Sequence, residues 1–130
     1  MAVDALIQLQ ASVTKTATFN GAALTLPGGT PRRGLVARVL YSAASASQTG
    51  DTVTFSVDVS YDAGSTWNTD FVAPATALPT SAASGEIFIP FSISPTSVAN
   101  GTQIRCSATF SSTAHTDTIT YQADLQLGRP

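Results

Sequence analysis

Charge is scarce in this sequence. Six Lys and Arg stand against eight Asp and Glu in 130 residues, 11% charged in all, with a net charge of −2, where an average domain is roughly a quarter charged. The basic residues are scattered apart from Arg32-Arg33. A nucleic-acid surface needs a concentrated basic patch, so no nucleic-acid partner is expected. Cys106 is the single cysteine, which excludes an internal disulfide and favours folding in a reducing compartment. His115 is the single histidine. No stretch approaches the ~20 apolar residues of a membrane span. Met1 to Val13 has neither a basic lead nor a long apolar run, so no secretory signal is expected.

What fills the chain instead is Ser and Thr, roughly a quarter of it, together with a hydrophobic content of 43%. That is enough apolar material for a core, and the length suits a single domain over 1–130. A chain this neutral and hydroxyl-rich stays soluble through hydrogen bonding more than through charge. Such a composition suits a subunit that packs against neighbours.

A period of two dominates. Val53, Phe55, Val57, Val59 and Tyr61 alternate with Thr52, Thr54, Ser56, Asp58 and Ser60. Ile104, Cys106, Ala108 and Phe110 do the same, as do Ile119, Tyr121, Ala123, Leu125 and Leu127. Each run reads as a strand with one buried and one polar face. Val3 to Leu9 reads as a further strand, and Leu35 to Tyr41, apolar on both sides apart from Arg38, as a covered one. Ile87 to Ile93 is interrupted by Pro90, which implies an edge or a bulge because proline cannot donate to the ladder. Asn20-Gly21, between Thr16–Phe19 and Ala22–Leu26, is a hairpin signal. Residues 27–34, 42–50, 72–85 and 95–101 read as loops. Seven to nine short strands with no amphipathic helix predict an all-β fold, a two-sheet antiparallel β-sandwich of the jelly-roll kind.

The most specific local pattern is Ser60-Tyr61-Asp62-Ala63-Gly64-Ser65-Thr66-Trp67. Asp62 can accept backbone N–H bonds across a turn, Gly64 can supply a positive φ, and Trp67 brings a large apolar surface to the returning strand. The pattern resembles the Asp-box of sialidases, Ser-x-Asp-x-Gly-x-Thr-Trp, at every defined position. In that family the box is a structural turn remote from catalysis, and its propeller needs several blades. The resemblance therefore implies a structural turn through Ser60, Asp62, Gly64, Thr66 and Trp67, and no active site.

Catalysis needs converging groups. His115 sits in a polar segment without a nucleophile elbow or an oxyanion loop, so an exposed loop histidine is expected. Cys106 alternates inward and reads as a small buried hydrophobe. Asp58, Asp62 and Asp70 lack the ligand spacing of a calcium loop, no Cys/His cluster offers a zinc site, and the only glutamate is Glu86. No enzyme, cofactor or metal is expected. Arg32 and Arg33, in a Pro/Gly loop, are candidate contacts for an acidic partner. Tyr41, Tyr61, Trp67 and Phe71 are expected in the core, with a sugar-stacking platform as the alternative.

With its Ala/Ser/Thr bias, low charge and compact β pattern, the chain is similar to small structural proteins of tailed phages. The hairpin over 57–71 is similar to hairpins of their capsid-surface and tail proteins. The resemblance implies a cement or decoration subunit, a homo-oligomer (dimer or trimer) bound to the major capsid protein on the virion surface and assembled in the host cytoplasm. The alternative from another class is a receptor-binding or carbohydrate-binding sandwich, which requires an exposed aromatic row.

Overall fold

The computed structural model describes residues 7–16, 18–25, 34–46, 50–79, 81, 83–93, 102–111 and 117–127. Nine strands lie among them: β1 (Ile7–Lys15), β2 (Leu24–Thr25), β3 (Leu35–Ser45), β4 (Thr52–Ser60), β5 (Asn68–Val72), β6 (Thr76–Ala77), β7 (Ala83–Phe91), β8 (Gln103–Phe110) and β9 (Thr118–Leu127). They form two antiparallel sheets that pack face to face, in the orders β1-β9-β3-β7 and β2-β8-β4-β5, with β6 also paired to β4. The expected two-sheet β-sandwich is therefore the fold. Four of its pairings, β1–β9, β2–β8, β3–β7 and β4–β5, are nested about the β4–β5 turn, while β3–β9 and β4–β8 join them laterally into the two sheets.

The alternating runs dictate which side of each sheet meets the other. Val53, Phe55, Val57 and Val59 of β4, with Ile104, Cys106, Ala108 and Phe110 of β8, line one inner face. Leu35, Ala37 and Val39 of β3, with Ile119, Tyr121, Ala123 and Leu125 of β9, line the other. Burying each large aliphatic or aromatic side chain stabilises the fold by about 1.5–3 kcal/mol. The Phe55 ring sits 5.1 Å from that of Tyr121 and 6.2 Å from that of Tyr41. The Tyr121 hydroxyl crosses the sandwich to donate to the Cys106 carbonyl at 3.0 Å, so the one polar atom of that ring is satisfied inside the core.

Several boundaries differ from the sequence expectation, each for a physical reason. β1 runs past the expected end at Leu9 to Lys15; Val3 and Ala5 lie outside the described residues. Two register shifts against β9 break its alternation, and Gln10 is buried because its Oε1 accepts the Ala22 N–H at 2.8 Å. Asn20-Gly21 does not turn a hairpin. Phe19 and Ala108 exchange both backbone bonds (2.8 and 2.9 Å), and β2 pairs with β8, so residues 18–25 run along β8 instead. Gly21 is needed for proximity: a Cβ there would lie 2.0 Å from the Cys106 carbonyl oxygen.

β3 continues past Tyr41 through a bulge at Ala43, whose φ is 52°, into residues read from sequence as loop. The segment 72–85, also read as loop, contains β6 and the start of β7. β3 is interior to its sheet, yet Val36 and Leu40 on its outer face are half-buried, so only one side of that strand is covered. Pro90 lies on β7, an edge strand, as expected of a proline in a sheet.

Candidate functional site

The β4–β5 connection folds through its own side chains. Ser60 Oγ donates to Asp62 Oδ1 at 2.8 Å and accepts the Gly64 N–H at 2.8 Å. Asp62 Oδ1 also accepts the Thr66 N–H at 2.8 Å, and the Asp62 carbonyl accepts the Ser65 N–H at 3.3 Å. Ala63 (φ 59°) and Gly64 (φ 92°) both adopt the left-handed conformation that closes the turn. These bonds to the charged form, first the Thr66 N–H and then the Ser60 hydroxyl, hold the Asp62 carboxyl below its ordinary 3.8. Ser60, Asp62, Gly64 and Thr66 thus converge on one turn.

Trp67 behaves differently from the expectation of a core anchor. Its ring is half-buried on the outer face of the β2-β8-β4-β5 sheet, with the Arg105 guanidinium 4.2 Å from its centroid. Tyr41, Tyr61 and Phe71 do pack, partly buried, against the core, and Phe71 lies 6.0 Å from Phe91. The four aromatics therefore do not share a platform.

Arg105, under the Trp67 ring, belongs to a polar cluster centred on Asp58. Ser56, Asp58 and Ser60 alternate away from the core, which predicts exposure, yet all three are buried, Asp58 to 2%. Asp58 Oδ1 accepts Ser56 Oγ (3.1 Å) and Thr69 Oγ1 (2.9 Å). Asp58 Oδ2 accepts Arg105 Nε (2.8 Å) and Ser107 Oγ (2.8 Å). Ser107 Oγ in turn accepts the Gly21 N–H at 3.2 Å. One carboxylate so ties β4, β5 and β8 together and, through Ser107, the segment that approaches Cys106. Burying a charge is tolerable only when it is paired and hydrogen-bonded to this degree. Four donors thus share the two carboxylate oxygens.

Sequence reading missed this cluster. Its only trace in the sequence is an Asp and an Arg on the polar sides of two different strands, brought opposite by the register Asp58↔Arg105.

The remaining candidates separate. Arg32, Arg33 and His115 lie outside the described residues, as does the Asp70 side chain. Cys106 is buried between the sheets as expected, and burial, followed by the charge of Asp58, pushes its thiol up to about 12. Burial likewise raises the Tyr121 hydroxyl. Among the described residues, no three His, Cys, Asp or Glu side chains are grouped to hold a metal ion. Glu86 is paired with Arg38 at 2.6 Å on the outer face of the other sheet. On the same face Phe88 is 52% exposed, and a shallow hollow of about 130 Å³ has a lining that includes Ser12, Leu40, Tyr41, Thr120 and Tyr121, with no charged side chain.

The site is a polar, internally hydrogen-bonded outer face on one sheet and, on the other, a partly apolar outer face on which Arg38 and Glu86 pair with each other. Neither a family model nor a curated protein matches the chain.

Proposed function

We propose that this chain is a virion structural protein, a cement or decoration subunit that binds the surface of a phage capsid as a homo-oligomer. The observation that carries the reading is how the polar groups of the sandwich are used. Asp58, Arg105, Ser60 and Asp62 bond to their own fold, while the surface left for a partner is low in charge and includes exposed Phe88 and Val72. Such faces lose less desolvation energy on burial than charged ones do, which suits contact with a shell.

The nested pairings β1–β9, β2–β8, β3–β7 and β4–β5 support the jelly-roll expectation: with β6 set aside, they describe one long hairpin folded over itself. That arrangement recurs in viral capsid and lectin domains. Fold alone does not assign function, so the particle is the test. Expanded capsids with and without the protein are compared by thermal release of DNA and by cryo-EM. Many symmetric copies on the shell, with release moved to higher temperature, are expected, because a ligand that binds the assembled shell and not its free subunits favours the shell. Avidity among neighbouring subunits reinforces weak individual contacts.

A second reading, a receptor-binding or carbohydrate-binding sandwich, is favoured by one observation: Trp67 lies on an outer face instead of in the core. Density at a tail tip in a few copies, with unchanged capsid stability, would replace the first reading by the second.

A further inference from the structure

The outermost strands of a sheet carry unpaired backbone N–H and C=O groups, which proteins blunt with short strands, bulges, charge or proline. Among the described residues most edges of this sandwich are blunted. β1 has two register shifts against β9, β2 is two residues long, and β5 is five residues long with a shift of its own. β7 is different. It spans nine residues and pairs with β3 without interruption from Leu35↔Phe91 to Tyr41↔Gly85. Its guards are weak: Pro90 stands near one end, and the charge of Glu86 is neutralised by Arg38. The same strand carries exposed Phe88 on its outer face and half-buried Ile87 on its inner face.

We propose that β7 is the self-association edge of this protein, at which two copies pair β7 with β7, antiparallel about a twofold axis, and join two four-stranded sheets into one of eight strands. A twofold axis makes an antiparallel edge its own complement, and the charges of β7 fit that occupant. With Phe88 facing the partner's Phe88, Glu86 faces the partner's Pro90 and Ser84 faces the partner's Ser92. No like charges meet, and two aromatic rings lie side by side, which is a favourable cross-strand pair. The exposed part of Ile87 is covered in the same step.

This interface does not depend on the capsid reading, because it is measured on the isolated protein. Sedimentation of the wild type from micromolar to submillimolar concentration should show a monomer–dimer equilibrium. Phe88→Lys, which adds charge at an exposed position, should weaken the dimer by about tenfold or more with an unchanged circular dichroism spectrum. Phe88→Cys tests the register. Directly opposed residues of an antiparallel pair have Cα atoms about 4.5–5.5 Å apart, within disulfide reach, so mild oxidation should yield a covalent dimer. Glu86→Cys, facing proline, should not, and buried Cys106 does not compete. A wild type that stays monomeric throughout, or a dimer untouched by Phe88→Lys and not trapped by Phe88→Cys, overturns the proposal.

Discussion

Replacing Arg105 by Met isolates what the guanidinium does, since the aliphatic length is kept while charge and planarity go. Two interactions are lost. One is the charge-assisted bond from Nε to the Asp58 carboxylate, 2.8 Å long, with side chains 17% and 3% exposed; bonds of this kind contribute about 1.5–3 kcal/mol. The other is the contact with the Trp67 ring at 4.2 Å, worth about 0.5–2 kcal/mol. Three hydroxyl donors remain on Asp58, so the carboxylate is not orphaned, and the loss stays at the lower end of the ~3–5 kcal/mol for breaking a buried pair.

The expected cost of Arg105→Met is therefore about 3 kcal/mol. Asp58→Asn combined with Arg105→Met should be the less damaged protein. Its amide still accepts from Ser56 and Thr69, can donate to Ser107, and leaves no buried charge. Urea unfolding measures both, followed by circular dichroism and by fluorescence of Trp67, the single tryptophan. If Arg105→Met costs less than ~1 kcal/mol, the pair behaves as a solvent-screened surface bridge. If the double variant equals the sum of the singles, the two residues are uncoupled. Either result refutes the account of the cluster.

Gly21→Ala should destabilise by about 1–3 kcal/mol in thermal melts, because its Cβ meets the Cys106 carbonyl backbone and not a yielding side chain; a neutral result would mean that residues 18–25 are not fixed against β8. Asp62 has a carboxyl lowered in the folded state, so its contribution to stability is present above the unfolded value of about 3.9 and is lost as pH falls through the folded value. Asp62→Asn should then flatten the acid limb of the stability curve, and an unchanged limb would contradict the turn bonds. Cys106, buried and raised to about 12, should react with thiol reagents at neutral pH only after denaturation; rapid labelling of the native protein would place the thiol at the surface.

How much of this was legible in the sequence depends on regularity and on distance along the chain. β4, β8 and β9 are interior strands paired in register with β4's and β9's neighbours over long stretches, so their alternation survives and can be read directly. β1 cannot be read that way, because bulges place adjacent Leu9 and Gln10 both inside. The end of β3 is hidden by the turn at Ala43, and β6 is too short to show a period. The Ser60–Thr66 turn was legible because the bonds that Ser60 and Asp62 make across it are local. The Asp58–Arg105 pair was not, because it joins residues 47 positions apart through a register that no local pattern encodes. Trp67 was misplaced for the same reason: its partner is Arg105, and apolar surface alone sends a large aromatic to the core.

The nesting of the pairings also sets an order in time. Bonds between β4 and β5 close a separation of nine residues, those between β3 and β7 one of 48, between β2 and β8 one of 78, and between β1 and β9 one of 106. Loop closure becomes more costly with length, but once an inner pair has formed, the next has only the newly added residues to bring together. Assembly is therefore expected to run outward from the turn at 61–67, at the slow pace of a topology dominated by distant contacts. Destabilising changes in that turn should retard refolding, whereas equal losses placed between β1 and β9 should chiefly hasten unfolding. The first and last strands are then the last to join and the first to leave.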